Sequence, residues 1–322
     1  MTFTLFDGNA LDAYSSWDAP TTIISDGAYG VKGFPGDPGS VRGLADWYRP
    51  HIAAWSEAST PATTLWFWGT ELSWATVHPE LDSQGWDYVQ TITWDKGIGH
   101  VAGKVNSTTI RQFPVVTEVC ALYQRRFGRG TLSAQDWIRA EWERSGLPFR
   151  LANAACGVKD AATRKYLTKD DLWYFPPGDM MERLAAYCNT HGDPSGVPYF
   201  SVTEDEKNEM RSVSAAEWDS MRYRWNHVHG LTNVWQRPPL RGAERIGAGT
   251  KAAHLNQKPL EFMERIIGAV TEPGNVVWEP FGGLCSASVA AVKMGRKPFA
   301  AEMNPDFAAI AKKRLEGCVL VQ

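Results

Sequence analysis

The sequence predicts an α/β protein built on βαβ units, with a mostly helical module inserted into it. Three observations carry this. Residues 247–322 alternate short apolar strand segments with helical ones, joined by glycine-bearing loops. Residues 1–130 alternate in the same way. Residues 131–246 break the alternation and are charged, turn-rich and helical in pattern.

In the first part, residues 21–25 (TTIIS) read as a buried-type strand, 44–54 as a helix and 64–68 (TLWFW) as a second strand. Residues 85–94 and 115–123 supply two more. The C-terminal part is the clearest. Residues 259–270 place Leu260, Met263, Ile266, Ile267 and Val270 on one helical stripe, with Pro259 in the first turn. The turn at 271–274 (TEPG) stops that helix. A strand over 276–278 ends at Glu279, and a loop over 280–285 feeds a small-residue helix over 286–294, closed by Gly295. A second strand over 298–301 ends at Glu302, and Asn304-Pro305 caps a last helix to residue 316.

Composition narrows the function classes. A chain of 322 residues with 43% apolar residues carries a sizeable core. No apolar run is long enough to span a bilayer, and the N-terminus lacks a basic start followed by an apolar stretch, so neither a membrane span nor a signal peptide is expected. Five widely spaced cysteines with no C-x-x-C pair argue against a disulfide framework and against a metal site, and for a cytoplasmic location. With a net charge of −3, a nucleic-acid enzyme must segregate its positive charge. The fifteen tryptophans are expected in packing rather than in stacking on bases.

The loop Glu279-Pro280-Phe281-Gly282-Gly283-Leu284-Cys285 follows a strand and opens a helix. Glycine there lets backbone approach a ligand, and the helix start offers unpaired N–H groups. Glu302, at the end of the next strand, is placed to accept hydrogen bonds from both hydroxyls of a ribose. An ordinary βαβ turn has the same spacing. The segments 254–260 (HLNQKPL), 274–281, Ala290-Ala291, Gly295-Arg296, Glu302 and Asn304 then resemble, in order and spacing, the end of the beta group of DNA amino-methyltransferases. That resemblance implies a Rossmann-like S-adenosylmethionine-dependent methyltransferase fold with a mixed seven-stranded sheet. It implies S-adenosyl-L-methionine as cofactor, with Glu302 on the ribose, Phe281 and Gly283 along the adenosine and methionine portions, Glu279 near the methionine amine, and His254 and Lys258 on the methionine side. Gly8-Asn9-Ala10-Leu11 resembles the family's segment near the cofactor adenine, which places Asn9 there. The chain departs from the family's loop at Glu279, usually Asp, and at Cys285, usually Gly.

The family's catalytic segment, Asp/Asn/Ser-Pro-Pro-Tyr/Phe, corresponds here to Asp26-Gly27-Ala28-Tyr29; both prolines are missing. An exocyclic amine has its lone pair delocalised into the ring. Acceptors for its two N–H bonds favour the tetrahedral geometry it needs to attack a methyl group. By the resemblance, Asp26 supplies the carboxylate beside the cofactor, Gly27 a carbonyl, and Tyr29 a ring to stack on a flipped base. Asp-Gly is also a common turn pair. The Gly- and Pro-rich residues 31–41 suit a loop that closes over the base.

The resemblance places a DNA-reading module at residues 131–246. Within it, 133–144 reads as an amphipathic helix with a Ser133 cap, and residues 150–156, the turn at Gly157-Val158 and 159–167 read loosely as helix–turn–helix. Residues 222–245 hold five arginines against one acid. Candidates for DNA contact are Lys32, Arg126, Lys159, Arg164, Lys165, Arg222, Arg224, Arg237 and Arg241; a solvated basic face is the plainer reading of each. The expected function is site-specific methylation of adenine N6 in double-stranded DNA, beside a restriction endonuclease and in a homodimer as such enzymes often are. Cytosine N4 is the alternative base, an RNA base methyltransferase is a further reading, and a non-catalytic DNA-binding protein is the alternative of another class.

Overall fold

The computed structural model describes residues 3–32, 36–101, 109–127, 132–170, 172–203, 210–226, 228–241, 245–248, 251–252 and 257–319. The chain divides into two compact units, Met1–Arg125 with Arg224–Gln322, and Arg126–Tyr223. In chain order the first unit starts with β1 (Thr4–Asp7), β2 (Thr22–Ser25), α1 (Leu44–Ala58), β3 (Thr64–Gly69), α2 (Glu71–Ser83), β4 (Trp86–Asp95) and β5 (Thr117–Arg125). The second unit holds α3 (Ala134–Arg144), α4 (Leu151–Cys156), α5 (Ala161–Tyr166), α6 (Gly178–His191), the antiparallel pair β6 (Ser201–Thr203) and β7 (Met210–Ser212), and α7 (Ala215–Ser220). The first unit resumes with β8 (Val234–Gln236), β9 (Gly247–Ala248), β10 (Lys251–Ala252), α8 (Leu260–Val270), β11 (Val276–Glu279), α9 (Ser286–Lys293), β12 (Lys297–Glu302) and α10 (Pro305–Val319).

The main sheet runs β1-β12-β11-β2-β3-β5-β4-β8. The first five strands are mutually parallel, β5 is antiparallel to both its neighbours, and β8 is parallel to β4. This is the Rossmann-like α/β architecture expected, with one strand more than the seven expected. The extra strand is β8. It lies in residues 224–246, which the sequence reading assigned to the insert and which belong to the first unit. Its three residues carry no periodic signal. They are held by main-chain bonds to β4, Thr93 N to Asn233 O at 2.7 Å and Arg237 N to Asp95 O at 3.0 Å, and by Trp235, buried against the Phe262 ring at 5.0 Å. The second compact unit spans Arg126–Tyr223, where an insert over 131–246 was expected. The short β1, which sequence alone also left unmarked, pairs with β12 from Thr4↔Phe299 to Asp7↔Glu302.

Strands covered on both faces need continuous apolar runs, and β3 (TLWFWG) is buried at all six positions. Helix α8 buries Phe262, Met263, Ile266, Ile267 and Val270. Phe262 thus takes the place expected of Leu260, which is half-buried. Each such side chain contributes about 1.5–3 kcal/mol. Trp55, Trp66, Trp68, Trp86 and Trp278 are fully buried in the first unit, in keeping with a packing role. The second unit has its own core around Trp142, Trp218, Phe200, Met181 and Leu184. Ser133 caps α3 as expected, and Ser214 and Glu217 form a reciprocal capping box on α7. The expected helix–turn–helix takes the form of α4 and α5, six residues each, with Gly157 left-handed at the end of α4.

The start of α9 explains how the loop tolerates a cysteine where the resembled family has glycine. Cys285 adopts φ 54°, ψ 49°, the left-handed conformation that glycine enters without penalty. Its thiol is fully buried, which pushes its pKa well up and keeps it protonated. The loop carries a strained residue here, at a cost of about 1–2 kcal/mol. Replacement by alanine keeps the strain and empties the thiol's space; replacement by glycine removes the strain. Cys285→Gly is therefore expected to be at least as stable as Cys285→Ala in urea denaturation, the reverse of the usual ranking next to a helix.

Candidate active site

In an open α/β sheet, ligand sites form beyond the carboxyl ends of the strands where the chain order reverses direction. Here β2 leads through α1 to β3 on one side, and β11 leads through α9 to β12 on the other. The adjacent pair β2 and β11, in register at Trp278↔Ile23, is that switch point. A cavity of about 830 Å³ opens beyond it. Its wall includes Asn9, Asp26, Gly27 and Tyr29 from the N-terminal half, and Lys258, Glu279, Phe281, Gly283 and Glu302 from the C-terminal half. The fold thus brings together every expected cofactor and catalytic residue except His254, which lies outside the described residues.

Asp26 follows the last residue of β2. Its Oδ1 accepts hydrogen bonds from the Lys258 ammonium at 2.7 Å and the Tyr29 hydroxyl at 2.9 Å; Lys258 also donates to the Tyr29 oxygen at 3.0 Å. The Lys258 side chain is only 3% exposed, and its second carboxylate partner is Glu118 at the start of β5, 3.4 Å away. Glu118 in turn is ion-paired with Lys96, just beyond β4. Burial disfavours the Lys258 charge, but Asp26 and Glu118 outweigh it and raise the pKa. Burial also opposes the Glu118 charge, yet Lys258 and Lys96 hold that carboxyl below its usual range. Burial, then the charge of Asp26, pushes the Tyr29 phenol well up, so it stays protonated and donates. Two cations and two anions balance in a chain of alternating sign. The Lys258 ammonium, expected on the methionine side, is thus directed at Asp26. Lys96 and Glu118, to which the sequence reading gave no functional role, complete the cluster. Each is a charged residue at or next to a strand end, a signal too common to single it out.

Gly27 has a steric reason to be glycine. A Cβ there would lie 2.6 Å from both the Phe281 ring and the Tyr48 hydroxyl. Phe281 comes from the loop after β11, so the two halves of the site are in contact at this point. Phe281 is backed by Trp47 and His51, at ring distances of 5.2 and 4.9 Å. His51 bonds to the Tyr14 hydroxyl at 2.9 Å, and burial pushes its pKa down to about 4, so it stays neutral.

Glu279, at the cavity wall, also caps the helix that follows. Its Oε1 accepts from Ala287 N at 2.9 Å, and its Oε2 from Ser288 N at 2.7 Å and Ser288 Oγ at 2.6 Å. The side chain, one methylene longer than Asp, reaches the first turn of α9 and satisfies amides that the helix itself leaves unbonded. Glu302 stands at the strand end that the sequence indicated. It ends β12 at the cavity wall, with Oε2 accepting from Gly283 N at 2.6 Å and Oε1 from Asn304 N at 2.8 Å. Burial raises its pKa against these donors. Asn9 caps the turn after β1 through Leu11 N at 3.1 Å. With Leu11, Phe281 and Phe307 on the wall and side-chain-free backbone at Gly282–Gly283, the lining suits a nucleoside whose sugar hydroxyls meet Glu302.

The expected DNA-contact residues are divided between the units. Arg126, Lys159, Arg164, Lys165 and Arg222 belong to the second unit; Lys32, Arg224, Arg237 and Arg241 belong to the first. Lys32, Lys159, Lys165 and Arg241 are exposed. Arg164 pairs with Asp160 at 3.3 Å, Arg222 with Asp219 at 3.5 Å, Arg224 with Glu272, and Arg237 with Glu261 at 3.5 Å. Exposed pairs of this kind contribute about 0–1 kcal/mol and are readily exchanged for other anions. No helix among the described residues is long and apolar enough to cross a membrane.

The sheet order and the cavity at its switch point define a Rossmann-like methyltransferase fold. Solved structures agree. PvuII DNA methyltransferase, described as cytosine-N4-specific, matches with a TM-score of 0.53 and 13% identity, covering 100% of this chain and 91% of that one. The complex of M1.HpyAVI with S-adenosylmethionine matches at 0.50 and 14%, covering 98% and 100%. A family model described as DNA methylase, of the N6/N4 methyltransferase type, matches residues 20–313, and the chain belongs to that family. Among curated relatives, the DNA adenine methyltransferase YhdJ of Escherichia coli K12 is 32% identical over 92 residues, which are 29% of this chain and 30% of that protein. The type II methyltransferase M2.DpnII of Streptococcus pneumoniae is 31% identical over 110 residues, 34% and 39% of the two chains. The matches thus span well under half the length of these relatives.

Two outcomes follow from the geometry. Gly27→Ala must displace Phe281 or Tyr48, and is expected to cost about 1–3 kcal/mol in chemical denaturation. Glu279 gives a pH signature. Burial pushes its pKa from 4.5 up to about 7 in the folded chain, so the folded state binds the extra proton between those values. The stability this contributes is fully present below pH 4.5 and is lost as pH rises through 7. The melting temperature of the wild type relative to Glu279→Gln is expected to fall from pH 5 to pH 8; a constant difference across that range would contradict the assignment.

Proposed function

We propose that this chain transfers a methyl group from S-adenosyl-L-methionine to an exocyclic amine of a base in duplex DNA, with adenine N6 the preferred target and the base turned out of the helix. The observation that carries the reading is the fixed Asp26 carboxylate at the cavity wall, held by Lys258 and Tyr29 and joined to the cofactor-type loop through the contact between Phe281 and Gly27. When bound, S-adenosyl-L-methionine supplies an electrophilic methyl group on a sulfonium centre.

The chain's own residues then have these parts. Oδ1 of Asp26 takes the bonds from Lys258 and Tyr29, which leaves Oδ2 to accept an N–H of the incoming amine. The Gly27 carbonyl accepts the second N–H. Both acceptors favour a tetrahedral nitrogen and stabilise the positive charge that develops on it. Lys258 and Tyr29 fix the orientation of the Asp26 carboxylate for that purpose. Glu302 orients the cofactor ribose, Asn9 borders its adenine, and Phe281 and Gly283 shape the space between. The acidic first residue of the catalytic segment and the likeness to an adenine methyltransferase support adenine; the cytosine-N4 enzyme among the structural neighbours makes cytosine the alternative. The unit Arg126–Tyr223 is the candidate target reader, with Arg126, Lys159, Arg164, Lys165 and Arg222 as its phosphate contacts and Lys32, Arg224, Arg237 and Arg241 as those of the core. The type II relatives support a companion restriction endonuclease.

The test is methylation of unmodified duplex DNA with labelled cofactor, followed by nucleoside analysis. N6-methyladenine is expected. N4-methylcytosine alone would reassign the base, and cofactor binding with no transfer to any duplex would favour a non-catalytic DNA-binding protein. Asp26→Ala is expected to lower transfer by about 10²-fold or more.

A further inference from the structure

In the family this chain resembles, two prolines follow the acidic residue, and their rings fix the backbone that aims the acceptor carbonyl. Gly27 and Ala28 have no ring to do so, and glycine is the most permissive residue of all. Other groups hold the segment. The Tyr48 hydroxyl, from α1, donates to the Ala28 carbonyl at 3.1 Å. Phe281 and Tyr48 close the space around the Gly27 Cα. The next two residues are tied by one side chain: Asp37 Oδ2 accepts from Tyr29 N at 2.8 Å and Gly30 N at 3.0 Å. Its Oδ1 accepts from Gly39 N at 2.8 Å. Gly30, at φ 74°, lies so close to the Val41 backbone that a Cβ would meet Val41 N at 2.6 Å, so the two ends of the loop meet there.

We infer that Asp37 is a positioning residue for the transfer reaction: with Tyr48 it takes over what the missing prolines do, fixing the backbone from Gly27 to Gly30 so that the Gly27 carbonyl and the Asp26 carboxylate face the same amine. The inference rests on the reading of Asp26 given under the proposed function. Three charge-assisted bonds to one carboxylate are a strong local constraint; Asp37 stands at the cavity wall, and both its oxygens are taken by the backbone N–H groups of Tyr29, Gly30 and Gly39 rather than by Asp26. A displacement of about 1 Å in reacting groups lowers a rate by up to about 10²-fold without abolishing binding. Asp37 therefore acts on the chemical step.

The experiment measures single-turnover methyl transfer to duplex DNA at saturating cofactor, equilibrium binding of S-adenosyl-L-methionine, and thermal unfolding, for the wild type, Asp37→Ala, Asp37→Asn and Asp26→Ala. Asp37→Ala is expected to slow transfer by about 30–100-fold while the cofactor Kd stays within about threefold. Asp37→Asn keeps an oxygen able to accept from Tyr29 and Gly30 but meets Gly39 with an amide, and is expected to recover about tenfold of that loss. Transfer by Asp37→Ala within about threefold of wild type overturns the inference. So does a parallel loss of cofactor binding and stability in both Asp37 variants with no recovery by Asn, which is what a purely structural role gives. If Asp26→Ala transfers at the wild-type rate, or the wild type methylates no duplex, the reading of the site fails and the inference with it. If Asp26→Ala is inactive and both Asp37 variants are unaffected, the inference alone fails.

Discussion

The ammonium of Lys258 is buried between two carboxylates, and the functional edge of the molecule is organised by that one interaction. A lone charge at this depth would lose its proton; here Asp26 and Glu118 keep it ionised, and it helps hold the Glu118 carboxyl below its usual range. Removing one partner of such a buried set costs about 3–5 kcal/mol. Its partners come from far apart in the chain: Asp26 is 232 residues before Lys258. The carboxylate, the phenol of Tyr29 and the start of β5 are therefore fixed relative to the Lys-Pro helix only when the whole sheet is assembled.

Around this cluster the two halves of the sheet meet with little room for substitution. Phe281 packs where a side chain on position 27 would stand, which ties the loop after β11 to the segment after β2 by exclusion rather than by a bond. The loop itself departs from its family at two positions, and each departure is absorbed locally. Cys285 accepts a left-handed backbone at a small cost, and Glu279 uses its extra length to cap α9. The loss of two prolines is met in the same manner, by Tyr48 and Asp37 from the following loop and helix. One architecture is kept while the residues that enforce it change.

The second unit, Arg126–Tyr223, has an independent aromatic core and its own caps, as expected of a module that varies separately from the sheet. Arg164 and Arg222 are held there in exposed surface pairs, worth about 0–1 kcal/mol each.

Much of this was legible in the sequence. The parallel strands, α8, α9 and α10 follow from apolar runs, a 3.6-residue stripe and capping residues, all of which are local signals. Glu302 and the glycines of the loop were legible for the same reason: a strand end and a turn carry their chemistry with them. The edge strands β1 and β8 were not, because three or four residues hold no period and gain their stability from a neighbour. The pairing of Lys258 with Asp26 and Glu118, the capping of α9 by Glu279, the recruitment of Lys96 and the anchoring by Asp37 were decided by tertiary structure alone. Sequence determines which groups an element offers and on which face. Which ions pair in the interior depends on distances between segments that only the folded sheet brings within 3–4 Å, where burial makes each unpaired charge too costly to keep.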